Sequence, residues 1–480
     1  MSPKLEKSPT SISNRLRWGS LWIVFGRALA MVLVFANLAL LAKLMPEPEF
    51  SAYVVTISIV SLASVAAMFG LNYLVCKLIA AYRAVGDHSN ALRSARIVFG
   101  IGLITSVLIS SVVATGCYFQ AEVWFHRPMI SNMWSWIGLW ILLLAIGQII
   151  AEVFRGLHNL FAAAILAGVS GGLFANAIFF LGIVWVYFQS ELTYQIVIQM
   201  AALSFVLPLV VSGAWLILCW PRPEGEPTPD TKIRPEHLKL PQRIEVKSVL
   251  AEAFPIMLLS FVALGFDRAG QLIAGGFGTE DQVAVFEGTW QLAFIPIVPL
   301  TMLGLAIASS VSELHAQQDK QTLERIIKVS STISLIVAIP IVFMLTIMGG
   351  PLLALIFGSS FSVGWSALIV LCIIQLMRNW MGPCDVLLVM TGHQIEAFVC
   401  FVIASPLLLL GPWSVHEFGL MGLTSVIAMA ILVSRILQYF VVVRKLGVSP
   451  HAELNYAFLK SLVQFSRGTQ LLGKQKQKVS

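Results

Sequence analysis

Long apolar runs alternate with short polar connections along the whole chain. A bilayer-spanning helix needs about 20 mostly apolar residues. Twelve stretches of that order are present: 18 to 42, 51 to 76, 94 to 118, 133 to 154, 160 to 187, 193 to 220, 249 to 276, 283 to 311, 326 to 348, 364 to 390, 396 to 414 and 418 to 443. None shows the alternation over about ten residues that marks a membrane-barrel strand. The pattern predicts an all-α polytopic membrane protein of about 12 transmembrane helices. The first stretch follows Lys4, Lys7, Arg15 and Arg17. Its apolar length exceeds that of a cleavable signal peptide, so it reads as a retained first helix.

One segment interrupts the pattern, "PRPEGEPTPDTKIRPEHLKLPQRIEVK" from residue 221. Rich in Pro and charge, it reads as a flexible cytoplasmic linker. The expected organisation is a cytoplasmic N-terminal tail at 1–17, a first six-helix half at 18–220, the linker at 221–248, a second six-helix half at 249–443 and a basic cytoplasmic tail at 444–480. The halves echo each other. "PEPEFSAY" (46–53) precedes a helix reaching "MFGL" (68–71), and "TEDQVAVF" (279–286) precedes one reaching "MLGL" (302–305). Transporters are commonly built from such repeats with the substrate site between them, so two pseudo-repeated halves with a central cavity are expected.

Composition agrees with the pattern. Hydrophobic residues make up 58% and charged residues 11%, with a mean hydropathy of +0.86; a soluble domain carries roughly 25% charged residues. Basic residues fix the orientation, because Lys and Arg are retained on the cytoplasmic side of short loops. With the N-terminus inside, only Lys43 and Arg127 fall in outward loops, and beyond the cytoplasmic segments and the helix ends adjoining them only Arg27, Arg268, Arg378 and Arg435 lie within helices. Both termini are therefore expected in the cytoplasm. The net charge of +7 is mostly this bias, and attraction to anionic lipid accounts for it without nucleic acid. The six cysteines form no C-x-x-C pair, so neither a disulfide framework nor a metal site is suggested.

The stretch "LAKLMPEPEFSAYVVTISIVSLASVAAMFGL" resembles the opening of polysaccharide flippases of the O-antigen type, in the multidrug/oligosaccharidyl-lipid/polysaccharide exporter superfamily. "FDRAGQLIAGGFGTEDQVAVF" resembles that family's seventh helix, and "LIFGSSF" (355–361) and "LVMTGHQ" (388–394) resemble two later landmarks. Ser51 departs from the Gly often found there. The resemblance implies a bacterial cytoplasmic (inner) membrane location. Its cargo would be a polyprenyl-diphosphate-linked sugar, with membrane lipids around the carrier and polysaccharide polymerase machinery as a downstream partner.

Intramembrane polar groups are costly and need partners, water or a purpose. Asp267 and Arg268 are adjacent, so on a helix they point about 100° apart and cannot simply pair with each other. Asp267 shares a face with Gln271. Gln375, Arg378, Gly382 and Asp385, at spacings of three, four and three, form one continuous polar face of the expected helix 364 to 390, which Pro383, lacking a backbone donor, is expected to kink. Packing of the second half and a role in passage both account for that face. Arg27 is the one ionisable group of the first helix. Glu287 and Gln291 are spaced i, i+4, and an outward vestibule and interfacial exposure both account for them. Glu152 with Arg155 reads as an interfacial pair, Arg435 as an anchor near the cytoplasmic end of the last helix. The tail 451–465 places Leu454, Phe458 and Leu462 on one side of a possible amphipathic helix.

The candidate substrate-binding residues are thus Arg27, Arg268 and Arg378, and the candidate ion-coupling residues Asp267, Asp385 and Glu287. No Walker A, H-E-x-x-H or G-x-S-x-G motif is present, and no large extramembrane loop offers a catalytic domain, so an enzyme is not expected. Without an ATP site no cofactor is expected, and energy would come from a proton or sodium gradient, the membrane potential or the substrate gradient. An extruder of organic cations should carry acids deep in its first half, where this chain carries Arg27. A basic cavity suits an anion, and guanidinium geometry matches phosphate oxygens. The alternatives are an ion-coupled exporter of drugs or metabolites and a lipid II flippase, which usually has two more C-terminal helices.

Overall fold

A computed structural model describes residue 26 and residues 29–84, 87–157, 159, 162–163, 172–218 and 246–455. The linker 221–248 lies outside these apart from its last residues, and Arg27 and the tail beyond residue 455 lie outside them altogether. The described residues are helical with no strand: α1 (Leu29–Leu44), α2 (Glu47–Met68), α3 (Leu71–Ala84), α4 (His88–Phe125), α5 (Pro128–Asn132), α6 (Trp134–Gly156), α7 (Gly172–Tyr187), α8 (Tyr194–Leu203), α9 (Val206–Leu218), α10 (Val246–Phe277), α11 (Glu280–Phe294), α12 (Val298–Ala316), α13 (Lys320–Phe357), α14 (Trp365–Met381), α15 (Cys384–Met390), α16 (Gln394–Ala404) and α17 (Gly411–Leu446). Among the described residues nine spans are long and apolar enough to cross a membrane, and α1 and α7 are shorter apolar helices. The protein is a multi-pass, all-α membrane protein. The last two expected helices run as one apolar stretch, Gln394–Leu446, broken inside α17 at Gly419 (φ 59°, ψ −143°).

The chain forms two compact units. The first holds residues 1–288, 354–361 and 411–423; the second holds 289–353, 362–410 and 424–480. In the first unit α2 and α6 are the buried centre, while α4 presents Ile104, Leu108, Val112 and Phe119 outward, each more than half exposed. Such an apolar outer face is costly in water and matched to hydrocarbon. The "MFGL" motif is the sharp turn between α2 and α3. Phe69 (φ 51°) and Gly70 (φ 72°) are both left-handed, and a Cβ on Gly70 would collide with the carbonyl oxygen of Ala253 on α10. Only glycine serves there. Its counterpart Gly304, in the second unit, lies inside α12 and faces Val386 and Pro383 instead.

In the second unit α13 carries Pro340 and Pro351 in its interior. The expected continuous helix 364–390 is two helices. α14 ends at Met381, Gly382 takes φ 81° and ψ −175°, and α15 restarts at Cys384. The cause is local, because a left-handed glycine followed by a proline without an N–H cannot carry the helix ladder onward.

Candidate functional site

Among the described residues, each unit holds a cluster of intramembrane polar groups. In the first, α10 supplies Arg268 and Gln271 and α11 supplies Glu287. Gln271 Nε2 donates to Glu287 Oε2 at 2.7 Å, and Arg268 Nη1 lies 3.8 Å from Glu287 Oε1. Glu287 is 1% exposed and Gln271 0%, so the earlier choice between vestibule and interface is replaced by a buried carboxylate held by the preceding helix. Gly270 makes this approach possible, since a Cβ there would strike the Phe286 ring. Tyr53, stacked on Trp140, lies within electrostatic range of Glu287 and Arg268. Asp267 is half-buried and has no salt-bridge partner among the described residues. The sequence therefore located the charges, but the partner of Arg268 is on the next helix.

The second unit contains a cavity of about 240 Å³ lined in part by Thr301, Arg378, Asp385 and Arg435. Arg435 Nη1 lies 3.2 Å from Asp385 Oδ2 and donates to Gln438 Oε1 at 3.0 Å; its guanidinium also sits 5.8 Å from the centre of the Phe401 ring. Arg378 Nη1 donates to Gln375 Oε1 at 3.2 Å. Arg435 is no interfacial anchor: its side chain is 14% exposed and pairs inside the unit. Asp385 does not extend the Arg378 face of one helix but begins a new one, with its Oδ1 accepting from the N–H of Val386 at 3.0 Å. The spacing of Arg435 carried no signal, because its partner is 50 residues away in the chain.

Other polar groups are structural. Arg155 Nη1 donates to both carboxylate oxygens of Glu152 at 2.7 and 2.9 Å, as the i, i+3 spacing predicts. Arg127, assigned to an outward loop, is buried, and its Nη1 donates to the Gly275 carbonyl at 2.8 Å. Its desolvation lowers its pKa. Among the described residues no cluster of His, Cys, Asp and Glu has metal-ligand geometry.

Residues 16–307 match the sequence profile of a family described as polysaccharide biosynthesis protein. A probable low-salt glycan biosynthesis flippase of Haloferax volcanii is 25% identical over 169 residues, 35% of each chain; the match thus spans about a third of that relative's length. Among solved structures, an inward-facing multidrug resistance MATE family transporter of the MOP superfamily superposes with TM-score 0.65 at 15% identity, covering 87% of this chain and 94% of that one. A MOP superfamily transporter from Pyrococcus furiosus, described by the reverse polarity of its binding pocket, gives 0.61 at 14% identity over 89% and 94%. These likenesses show the fold. The profile match runs from the first apolar helix past the Arg268, Gln271 and Glu287 cluster, over more than half of the chain, and the protein belongs to the polysaccharide biosynthesis protein family.

Proposed function

We propose that the protein is a flippase that moves polyprenyl-diphosphate-linked oligosaccharide from the cytoplasmic to the outer leaflet by alternating access, for O-antigen, capsule or exopolysaccharide assembly. The observation that carries this reading is the charge of the second-unit cavity. Two arginines, Arg378 and Arg435, face a single carboxylate, Asp385. A net positive lining suits phosphate oxygens and disfavours the organic cations that a multidrug extruder handles. Family membership and the partial likeness to a glycan flippase support the same cargo class.

The physical need is plain. Carrying a diphosphate and a hydroxylated sugar chain through hydrocarbon leaves many polar groups unsatisfied, at several kcal/mol each. A polar cavity holds the head group while the lipid tail stays in the bilayer. Moving about two negative charges outward from a negative-inside cytoplasm gains on the order of 4 to 5 kcal/mol at 100 mV. In this reading residues 18–220 and 249–443 act as two six-helix halves joined by 221–248, in the cytoplasmic membrane with both termini inside. Arg378 contacts the diphosphate in this cavity, and Arg27 and Arg268 are the other proposed substrate-binding residues. Asp267, Asp385 and Glu287 couple proton or sodium entry to the return of the empty carrier, and the product passes to polymerase machinery.

The test is deletion of the gene in its native host, followed by mass spectrometry of extracted polyprenyl-diphosphate sugars. Accumulation of one completed lipid-linked oligosaccharide is expected. An unchanged lipid profile with new sensitivity to cationic compounds refutes the proposal in favour of an exporter.

A further inference from the structure

The segment after the last helix is extended. α17 ends at Leu446, where Gly447 (φ 65°) donates its N–H to the Val443 carbonyl at 3.1 Å. Val448, Pro450 and Ala452 are then buried, while Ser449, His451 and Glu453 between them are less so. This is the two-residue alternation of an extended strap laid on a surface, and it replaces the helix expected to begin at 451; residues beyond 455 lie outside the described chain.

The strap is tied down along its length within the second unit. Ser331 Oγ donates to the Pro450 carbonyl at 2.7 Å, the Ala452 N–H donates to the Trp380 carbonyl at 2.7 Å, and the Glu453 N–H donates to Thr332 Oγ1 at 3.0 Å. The Glu453 carboxylate lies 3.3 Å from Lys328 Nζ. His451 Nδ1 and the Tyr439 hydroxyl are 2.9 Å apart, and the imidazole packs on Trp380, itself stacked on Tyr439.

These attachments converge on the break between α14 and α15. Trp380 lies in the last turn of α14, and the Ala452 bond satisfies one of the carbonyls that a helix end leaves without an intrahelical partner. At Gly382 a Cβ would collide with both Ser331 Oγ and the Pro450 carbonyl oxygen. Gly382 and Pro383 also line the cavity, between Arg378 on one helix and Asp385 on the other. The strap is therefore packed directly behind the wall that carries these two charges.

We propose that residues 448–455 are the positioning element of the second-unit cavity. Docked, the strap fixes the turn at Gly382–Pro383 and so holds Arg378 and Asp385 in register with Arg435. Released, the turn is free and α15 re-aims Asp385. How the wall is held does not depend on what the cavity binds; only the anion readout below rests on the flippase reading.

Cys384 reports on the break. It is 2% exposed, and its Sγ donates to the Met381 carbonyl at 3.4 Å. The experiment measures alkylation of Cys384 by N-ethylmaleimide in full-length, detergent-solubilised protein whose other cysteines (Cys76, Cys117, Cys219, Cys372 and Cys400) are replaced by alanine. A chain ending at Gly447 should react faster by about tenfold or more, the factor expected of losing one or two net hydrogen bonds. Ser331→Ala should show a smaller rise. Thr346→Ala, whose hydroxyl bonds back to the Val342 carbonyl of the same helix, should match the parent.

An unchanged rate in a truncated protein that elutes as a single species overturns the proposal. Should truncated protein not be recovered, the double variant Ser331→Ala/Glu453→Ala replaces it, and an unchanged rate there overturns the proposal equally. Inorganic diphosphate separates the two ideas. Protection of Cys384 in the full chain and its loss in the truncated one supports both. Faster labelling on truncation, with no protection of either form, leaves the strap standing and counts against the diphosphate reading.

Discussion

Replacing Glu287 by alanine should destabilise the first unit by about 3 kcal/mol, within the range for breaking a buried ion pair. The carboxylate is 1% exposed, 3.8 Å from the Arg268 guanidinium and 2.7 Å from Gln271 Nε2. At an effective dielectric of about 20, the ionic contact alone is worth roughly 4 kcal/mol, and the lost hydrogen bond adds about 1.5 kcal/mol or more. Against this, the Arg268 side chain is 15% exposed and can turn partly toward water, which brings the net figure down. Glu287→Gln keeps an acceptor for Gln271 and the shape of the side chain but removes the charge, so it should lose about half as much. Thermal unfolding in detergent, followed by tryptophan fluorescence, reads the difference. At about 2 °C per kcal/mol for a large unit, Glu287→Ala should lower Tm by roughly 6 °C. A Tm within about 1 °C of the parent shows that the cluster is not a stabilising network.

The remaining predictions address turn, site and surface. Gly70→Ala, at a positive φ and against the Ala253 carbonyl, should cost about 2 kcal/mol or more, read as a Tm loss that Gly100→Ala, with open space around it, does not share. In a liposome flipping assay Arg378→Lys keeps the charge but loses the planar fork, so the diphosphate reading expects a clear deficit; full activity in both the Lys and Ala variants removes Arg378 from the site. Asp267→Asn should abolish the pH dependence of flipping, and an Asn variant with parental pH dependence ends the idea that Asp267 couples the gradient. Asp319 caps α13, with Thr322 holding its carboxyl below the ordinary value. A depressed folded-state pKa stabilises above the ordinary carboxylate range and loses that contribution as pH falls through the folded value, so the acid-side fall in Tm below about pH 4 should be shallower in Asp319→Asn.

The motifs that singled out the family have distinct physical meanings once folded. "MFGL" is a turn whose glycine is demanded by φ and by a neighbouring carbonyl, whereas the matching "MLGL" is ordinary helix. The adjacent Asp267 and Arg268 were legible as non-partners because helical geometry separates neighbouring residues. Glu287 was legible as polar, yet its burial was not, since that depends on α11 returning beside α10.

What the sequence determined was what depends on local chemistry: the membrane environment from the apolar runs, the helical class from their length and continuity, and a disturbance at Pro383, which lacks a backbone donor, though not the full stop at Gly382. Tertiary structure decided which charges meet between helices. Arg435 closes on Asp385, Arg127 is spent on the Gly275 carbonyl, and an apparent amphipathic helix begins as an extended strap behind a cavity wall. Such contacts join residues far apart in the chain, and hydropathy and helical spacing are blind to them because both describe a residue relative only to its own neighbours.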